Sequence, residues 1–101
     1  MLQMSNELFT LQRRAAEIAL LLQQQVDRPL LGMSVEDLTT ELANVAEPFC
    51  KDRGLGNVMD EICVYALDHL ELDGIIASGV STEAYYHAGA NLKWNLEGFN
   101  D

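Results

Sequence analysis

Between Asn6 and Gln25 the apolar residues Leu8, Leu11, Ala15, Ile18 and Leu22 recur at steps of three, four, three and four, which draws one stripe along an α-helix. A strand, with its two-residue period, cannot gather that set on one face, so this fifth of the chain is expected to be helical. Phe9, Ala16, Leu20 and Leu21 widen the stripe to two sides, as in a helix that packs on two neighbours or lends a surface to a second molecule. Leu8, Phe9, Leu20 and Leu21, joined by Trp94 near the C-terminus, are therefore the candidate contacts of a homodimer. Arg28-Pro29 should end the helix, because a residue before proline avoids the helical basin. The short apolar piece Pro29–Met33 reads as an extended edge segment.

Ser34 marks a second helix start: its hydroxyl is placed to accept from the amide of Asp37, and Met33 and Leu38 occupy the positions of a hydrophobic staple. Val35, Leu38, Leu42 and Val45 then share a face, and Pro48 is expected to stop the helix near Glu47. The stretch from Pro48 to Gly56, with two glycines and mixed charges, reads as a loop. A third helix is expected from Asn57, as cap, to Leu72, with Met59, Ile62, Cys63, Ala66, Leu67 and Leu70 inward and Asp73-Gly74 as terminator. Ile75–Ser78 and Ala84–His87 are short β-prone runs and predict a small hairpin.

With 101 residues the chain reads as one domain, 1–101, in which residues 90–101 form a tail on the body or on a partner. Its 49% hydrophobic and 22% charged residues are those of an ordinary globular protein. The charge is not ordinary: 16 acidic against 6 basic side chains give −10. The longest apolar run, Ile18–Leu22, is five residues, far below the roughly 20 that cross a bilayer, so no membrane is expected. No basic or cleavable leader is visible at Met1–Glu7, which predicts a cytoplasmic protein with Cys50 and Cys63 as two reduced thiols. Cys63 reads as core and Cys50 as the more accessible of the pair.

The order helix, extended piece, helix, helix, hairpin resembles the winged helix-turn-helix superfamily. Ala66-Leu67-Asp68-His69-Leu70-Glu71-Leu72-Asp73-Gly74-Ile75-Ile76 looks like the end of a recognition helix running into a wing, and Tyr85-Tyr86-His87-Ala88-Gly89 looks like the returning wing strand. The likeness spans about residues 6–89, and its specific part is about a dozen of them. It implies an α+β, mostly helical, winged-helix-like fold of three helices plus a small β-hairpin wing. It also implies that Asn57, Glu61, Val64, Asp68 and Glu71 face the DNA bases. The connection from Pro48 to Gly56 is longer than the tight turn of that family.

The sign of the charge argues against the family's usual work. From Asn57 to Leu92 there are six acids and no Lys or Arg. Affinity for DNA rests largely on cations that neutralise phosphates, and carboxylates cannot make the Arg-to-guanine or Asn-to-adenine pairings that discriminate most bases. The reading is a small acidic, non-enzymatic regulatory or inhibitory module whose face of Asn57, Asp60, Glu61, Val64, Asp68 and Glu71 binds a protein partner with a basic surface. The plain alternative for those acids is a solvated face that keeps the protein soluble. The functional alternative is a dimeric DNA-binding regulator that meets phosphate through Lys51, Arg53 and Asn57.

No catalytic constellation is found. Cys50, Cys63, His69 and His87 are separated by 12, 5 and 17 residues, which matches no zinc-knuckle pattern, so no metal and no cofactor is expected. Gly54-Leu55-Gly56 lacks the Lys and Ser/Thr of a phosphate loop.

Overall fold

Burial follows the stripe of the first helix. In the computed structural model, which describes the backbone of residues 2–91 and the side chains of residues 9–86, α1 spans Leu2–Gln25. Its Ala15, Ile18 and Leu22 are wholly buried, and Leu11 and Leu21 pack at the margin of the same core. α2 spans Val35–Asp52, and Ser34 caps it as its position predicts, the hydroxyl accepting from Asp37 N at 3.1 Å. A 3-10 turn at Gly56–Val58 leads into α3, Met59–Leu72, and α4 spans Val80–Asn91. The largest helix–helix contact is α1 with α3; α4 lies mainly on α2 and also touches α3. Each large side chain fully buried between them, such as Ile18, Leu38, Leu42, Ile62 or Leu70, contributes about 1.5–3 kcal/mol against the entropy of ordering the chain.

Among the described residues there is no strand, so the expected α+β class and the β-hairpin wing are both wrong. Gly74-Ile75 does not open a wing; it closes α3. Gly74, at φ +76°, donates to Glu71 O at 3.0 Å, and Ile75 N donates to Leu70 O at 2.9 Å. That pair of bonds is a Schellman motif, which needs the left-handed conformation that glycine adopts without strain. The same motif closes α2, where Gly54 donates to Lys51 O at 3.3 Å and Leu55 N to Cys50 O at 2.8 Å. The second β-prone run, Ala84–His87, lies inside α4 with Ala84 buried. Pro29–Met33 is a turn, not an edge strand: Met33 N donates to Leu30 O, Gly32 has φ +88°, and Leu30 enters the core.

Two boundaries also differ from expectation. Pro48 lies within α2 and does not end it. Proline removes one helical amide bond, but Pro48 and Asn44, whose carbonyl loses its donor, are both on the exposed side, where water can serve that carbonyl. Continuing the helix past Pro48 buries Phe49 and Cys50, so the apolar gain outweighs the lost bond. Asn57 makes no cap: it sits in the 3-10 turn, and α3 begins without a side-chain cap. The inward face of α3 is as expected, with all of Met59, Ile62, Cys63, Ala66, Leu67 and Leu70 buried.

Candidate functional site

The six residues expected on the binding face have three different fates. Glu61 and Asp68 are exposed on α3, and Asn57 is exposed in the turn before it. Asp60 and Val64 are half-buried. Glu71 is already engaged: its carboxylate accepts from Gly79 N at 3.1 Å, from Ser81 N at 3.1 Å and from Ser81 Oγ at 2.6 Å. Gly79 is the residue whose carbonyl takes the first helical bond of α4, from Glu83 N, yet glycine has no side chain to cap with. Glu71 supplies that cap from the end of α3. The hydroxyl of Ser81, then the amides of Gly79 and Ser81, hold the Glu71 carboxyl below its usual 4.5.

That clamp fixes α4 beside the outer face of α3 and leaves a cleft of about 360 Å³ between them. Val64 and Asp68 line it from α3, one helical turn apart, and Ser81, Thr82, Tyr85 and Tyr86 line it from α4. Tyr85 is 53% and Tyr86 68% exposed, and their rings meet edge to face with centroids 5.5 Å apart. Sequence reasoning placed both tyrosines on a wing and missed the cleft. The signal was present in the 64/68 spacing on α3, but its other wall needed the 82/85/86 set to be helical.

Among the described residues no ion pair reaches Asp60, Glu61, Asp68, Asp73 or Glu83. Three of the arginines are engaged elsewhere. Arg14 pairs with Glu17 at 3.0 Å and Arg28 with Asp37 at 3.6 Å. Arg53 lies over the Phe49 ring at 3.8 Å and donates to Phe49 O at 3.1 Å. Of the set Lys51, Arg53 and Asn57, the one guanidinium is thus engaged within its own chain, while Lys51 and Asn57 are exposed.

Of the dimer candidates, Phe9 and Leu20 are 62% and 55% exposed, and Leu21 is turned partly into the core. The Leu8 side chain and Trp94, like most of the expected tail, lie outside the described residues. Cys50 is wholly buried, contrary to the accessibility expected of it, because it lies on the inward face of the extended α2. Burial pushes its thiol up to about 11 in spite of Arg53, and burial also raises Cys63 well above 9.0. Both cysteines are free. No three acids, histidines or cysteines are grouped to hold a metal ion among the described residues. His69 is half-buried, and its Nε2 is buried without a hydrogen-bond partner among the described residues.

A second cleft of about 340 Å³ lies between the α1–α2 connection and the end of α3. Its charged residue, Arg28, is the one paired with Asp37. No helix of the described residues is long and apolar enough to cross a membrane. No family model matches the chain, and neither a curated protein nor a solved structure matches it significantly.

Proposed function

We propose that this protein is a non-enzymatic, regulatory or inhibitory binding module that uses the acidic outer face of α3 and α4 to engage a basic surface on another protein. The observation that carries this reading is the cation-free span from Asn57 to Leu92, whose exposed acids Glu61, Asp68, Asp73 and Glu83 meet no cation among the described residues. Unneutralised charge of one sign attracts the opposite sign and speeds encounter with it. A partner whose basic patch normally holds a polyanion would be blocked when that patch is occupied. Glu71 keeps its charge on this side of the molecule, but its carboxylate oxygens already accept from Gly79 and Ser81, so it adds to the field and is not a direct contact. A cytoplasmic setting suits two free, buried thiols.

The module is a homodimer in this reading, paired through α1. Phe9, Arg13, Ala16 and Leu20 are all exposed and follow one another at helical spacing, an uncovered stripe beside the buried one.

The test is capture from a cell lysate by immobilised protein, compared with the Glu61→Lys/Asp68→Lys variant. The wild type should retain basic proteins that salt elutes, and the variant should lose them while its helical circular dichroism stays intact. Capture that survives the charge reversal rejects the reading. So does tight binding to random DNA at low salt that weakens steeply as salt is added.

A further inference from the structure

We propose that the cleft between α3 and α4 is a receptor for a single arginine side chain projected by the basic partner. The inference rests on the acidic-face reading and names what that face recognises. Its walls are of two kinds that suit a guanidinium together and suit few other groups. On α3, Asp68 is exposed and has no ion pair among the described residues, which leaves it as an acceptor for the fork of N–H donors on arginine. On α4, Tyr85 and Tyr86 offer aromatic surface, and their edge-to-face contact, unlike stacking, leaves ring faces uncovered. A cation over such a face is attracted by the ring quadrupole, and a planar guanidinium also stacks on it, which a lysine ammonium does not do. Val64 gives the aliphatic stem of the guest an apolar wall.

Charge complementarity selects the guest. The cleft is built from a stretch with no Lys or Arg, in a chain of charge −10, so an anionic guest is repelled and a neutral one gains less from Asp68 than a cation does. The site is also held in shape before binding. The three hydrogen bonds from Gly79 and Ser81 to Glu71 fix the start of α4 against the end of α3, so little order has to be created when the guest arrives. Neither tyrosine is among the residues packed on the core, so the core does not account for these exposed aromatics.

The experiment uses the full chain and a fluorescein-labelled peptide, Lys-Gly-Arg-Gly-Lys, with companions in which citrulline or lysine replaces the arginine. The flanking lysines report the general acidic field, and the central residue reports the cleft. Citrulline keeps the shape of arginine and removes its charge, so it should bind about three- to thirty-fold more weakly. Asp68→Asn and Tyr86→Ala should each weaken the arginine peptide to a similar degree. Tyr86→Phe should retain binding, and Asp68→Asn and Tyr86→Ala should each weaken the arginine peptide by a larger factor than the citrulline peptide. Tyr86 is 68% exposed, so its truncation leaves the fold intact, and amide spectra of each variant check this. Ring resonances of Tyr85 and Tyr86 should shift on titration with the arginine peptide. If all three peptides bind alike, and only Glu61→Lys weakens them, the arginine receptor is overturned while the acidic-face reading stands. If none binds at low salt, both are overturned.

Discussion

The carboxylate of Glu71 in the last turn of α3 accepts from both the amide and the hydroxyl of Ser81 in the first turn of α4, at 3.1 and 2.6 Å. A negative charge at a helix N-terminus is stabilised by the free amides there and by the helix dipole. Here the charge comes from a residue ten positions earlier. The relationship makes Glu71 the link that turns two consecutive helices into one wall of the molecule.

Loss of either partner should loosen α4 before it affects the rest. Ser81→Ala and Glu71→Ala are expected to lower the melting temperature by several degrees, with Glu71→Gln in between because it keeps an acceptor but not the charge. Hydrogen exchange should show loss of protection across 80–86 with α1 and α3 unchanged. Uniform loss across all four helices would contradict a local clamp.

The clamp also sets an acid limit. The folded carboxyl of Glu71 titrates below its usual 4.5 because Ser81 and Gly79 donate to its ionised form. A folded value below the unfolded one means that the stabilisation is complete above 4.5 and drains away as pH falls through the lower folded value. Urea midpoints followed from neutral pH downward should fall in that window for the wild type. Glu71→Gln should be less stable at neutral pH and show a flatter acid limb.

At the alkaline end the sign reverses. Both thiols are raised by burial, Cys50 to about 11 and Cys63 well above 9.0. Their contribution is complete below 9.0 and is lost as pH rises through the folded values. A thiol-specific disulfide reagent at neutral pH should react with neither cysteine in the native protein and with both in urea. Cys63→Ser, which buries a hydroxyl in an apolar site, should cost about 1–3 kcal/mol. Rapid native labelling of Cys50 would show that the end of α2 opens.

These tests concern features of unequal visibility in the sequence. Ser34 and the inward set of α3 were legible because a cap and a 3.6-residue period are local signals, complete within one turn or one helix. Gly74-Ile75 was visible as punctuation but misread, since a glycine followed by aliphatics fits a helix stop and a strand start equally well. Ala84–Tyr86 carries β-prone side chains, yet α4 forms because Ala84 finds the core and a distant glutamate caps its start. Neither fact is local. Pro48 failed as a stop for the same reason: what overrode it is the burial of Phe49 and Cys50 one step on. The acidic surface needed no fold to be seen, whereas the tyrosine wall of the cleft depended wholly on α4 being a helix.

His69 offers a prediction of the opposite sign. Its Nε2 is buried and makes no hydrogen bond among the described residues, and an orphaned polar atom costs about 1–3 kcal/mol of desolvation. Replacement by an apolar side chain of similar reach removes that cost without leaving a donor behind. His69→Leu should therefore hold or raise the urea midpoint, where a random core substitution lowers it. A fall of more than about 1 kcal/mol would mean that Nε2 has a partner in solution.

The stripe Phe9, Arg13, Ala16 and Leu20 yields the last prediction. Two chains of −10 brought together carry −20, so pairing has to be apolar in origin and is expected to strengthen as salt screens the repulsion. Burying Phe9 and Leu20 of both copies, now 62% and 55% exposed, supplies apolar area in proportion to what is covered. Sedimentation at tens of micromolar, where half-association corresponds to about −6 kcal/mol, should show a dimer that tightens with added salt. Phe9→Ser/Leu20→Ser should sediment as a monomer with unchanged helical content, because neither side chain is part of the core. Wild-type protein that stays monomeric at every salt concentration rules out pairing through α1.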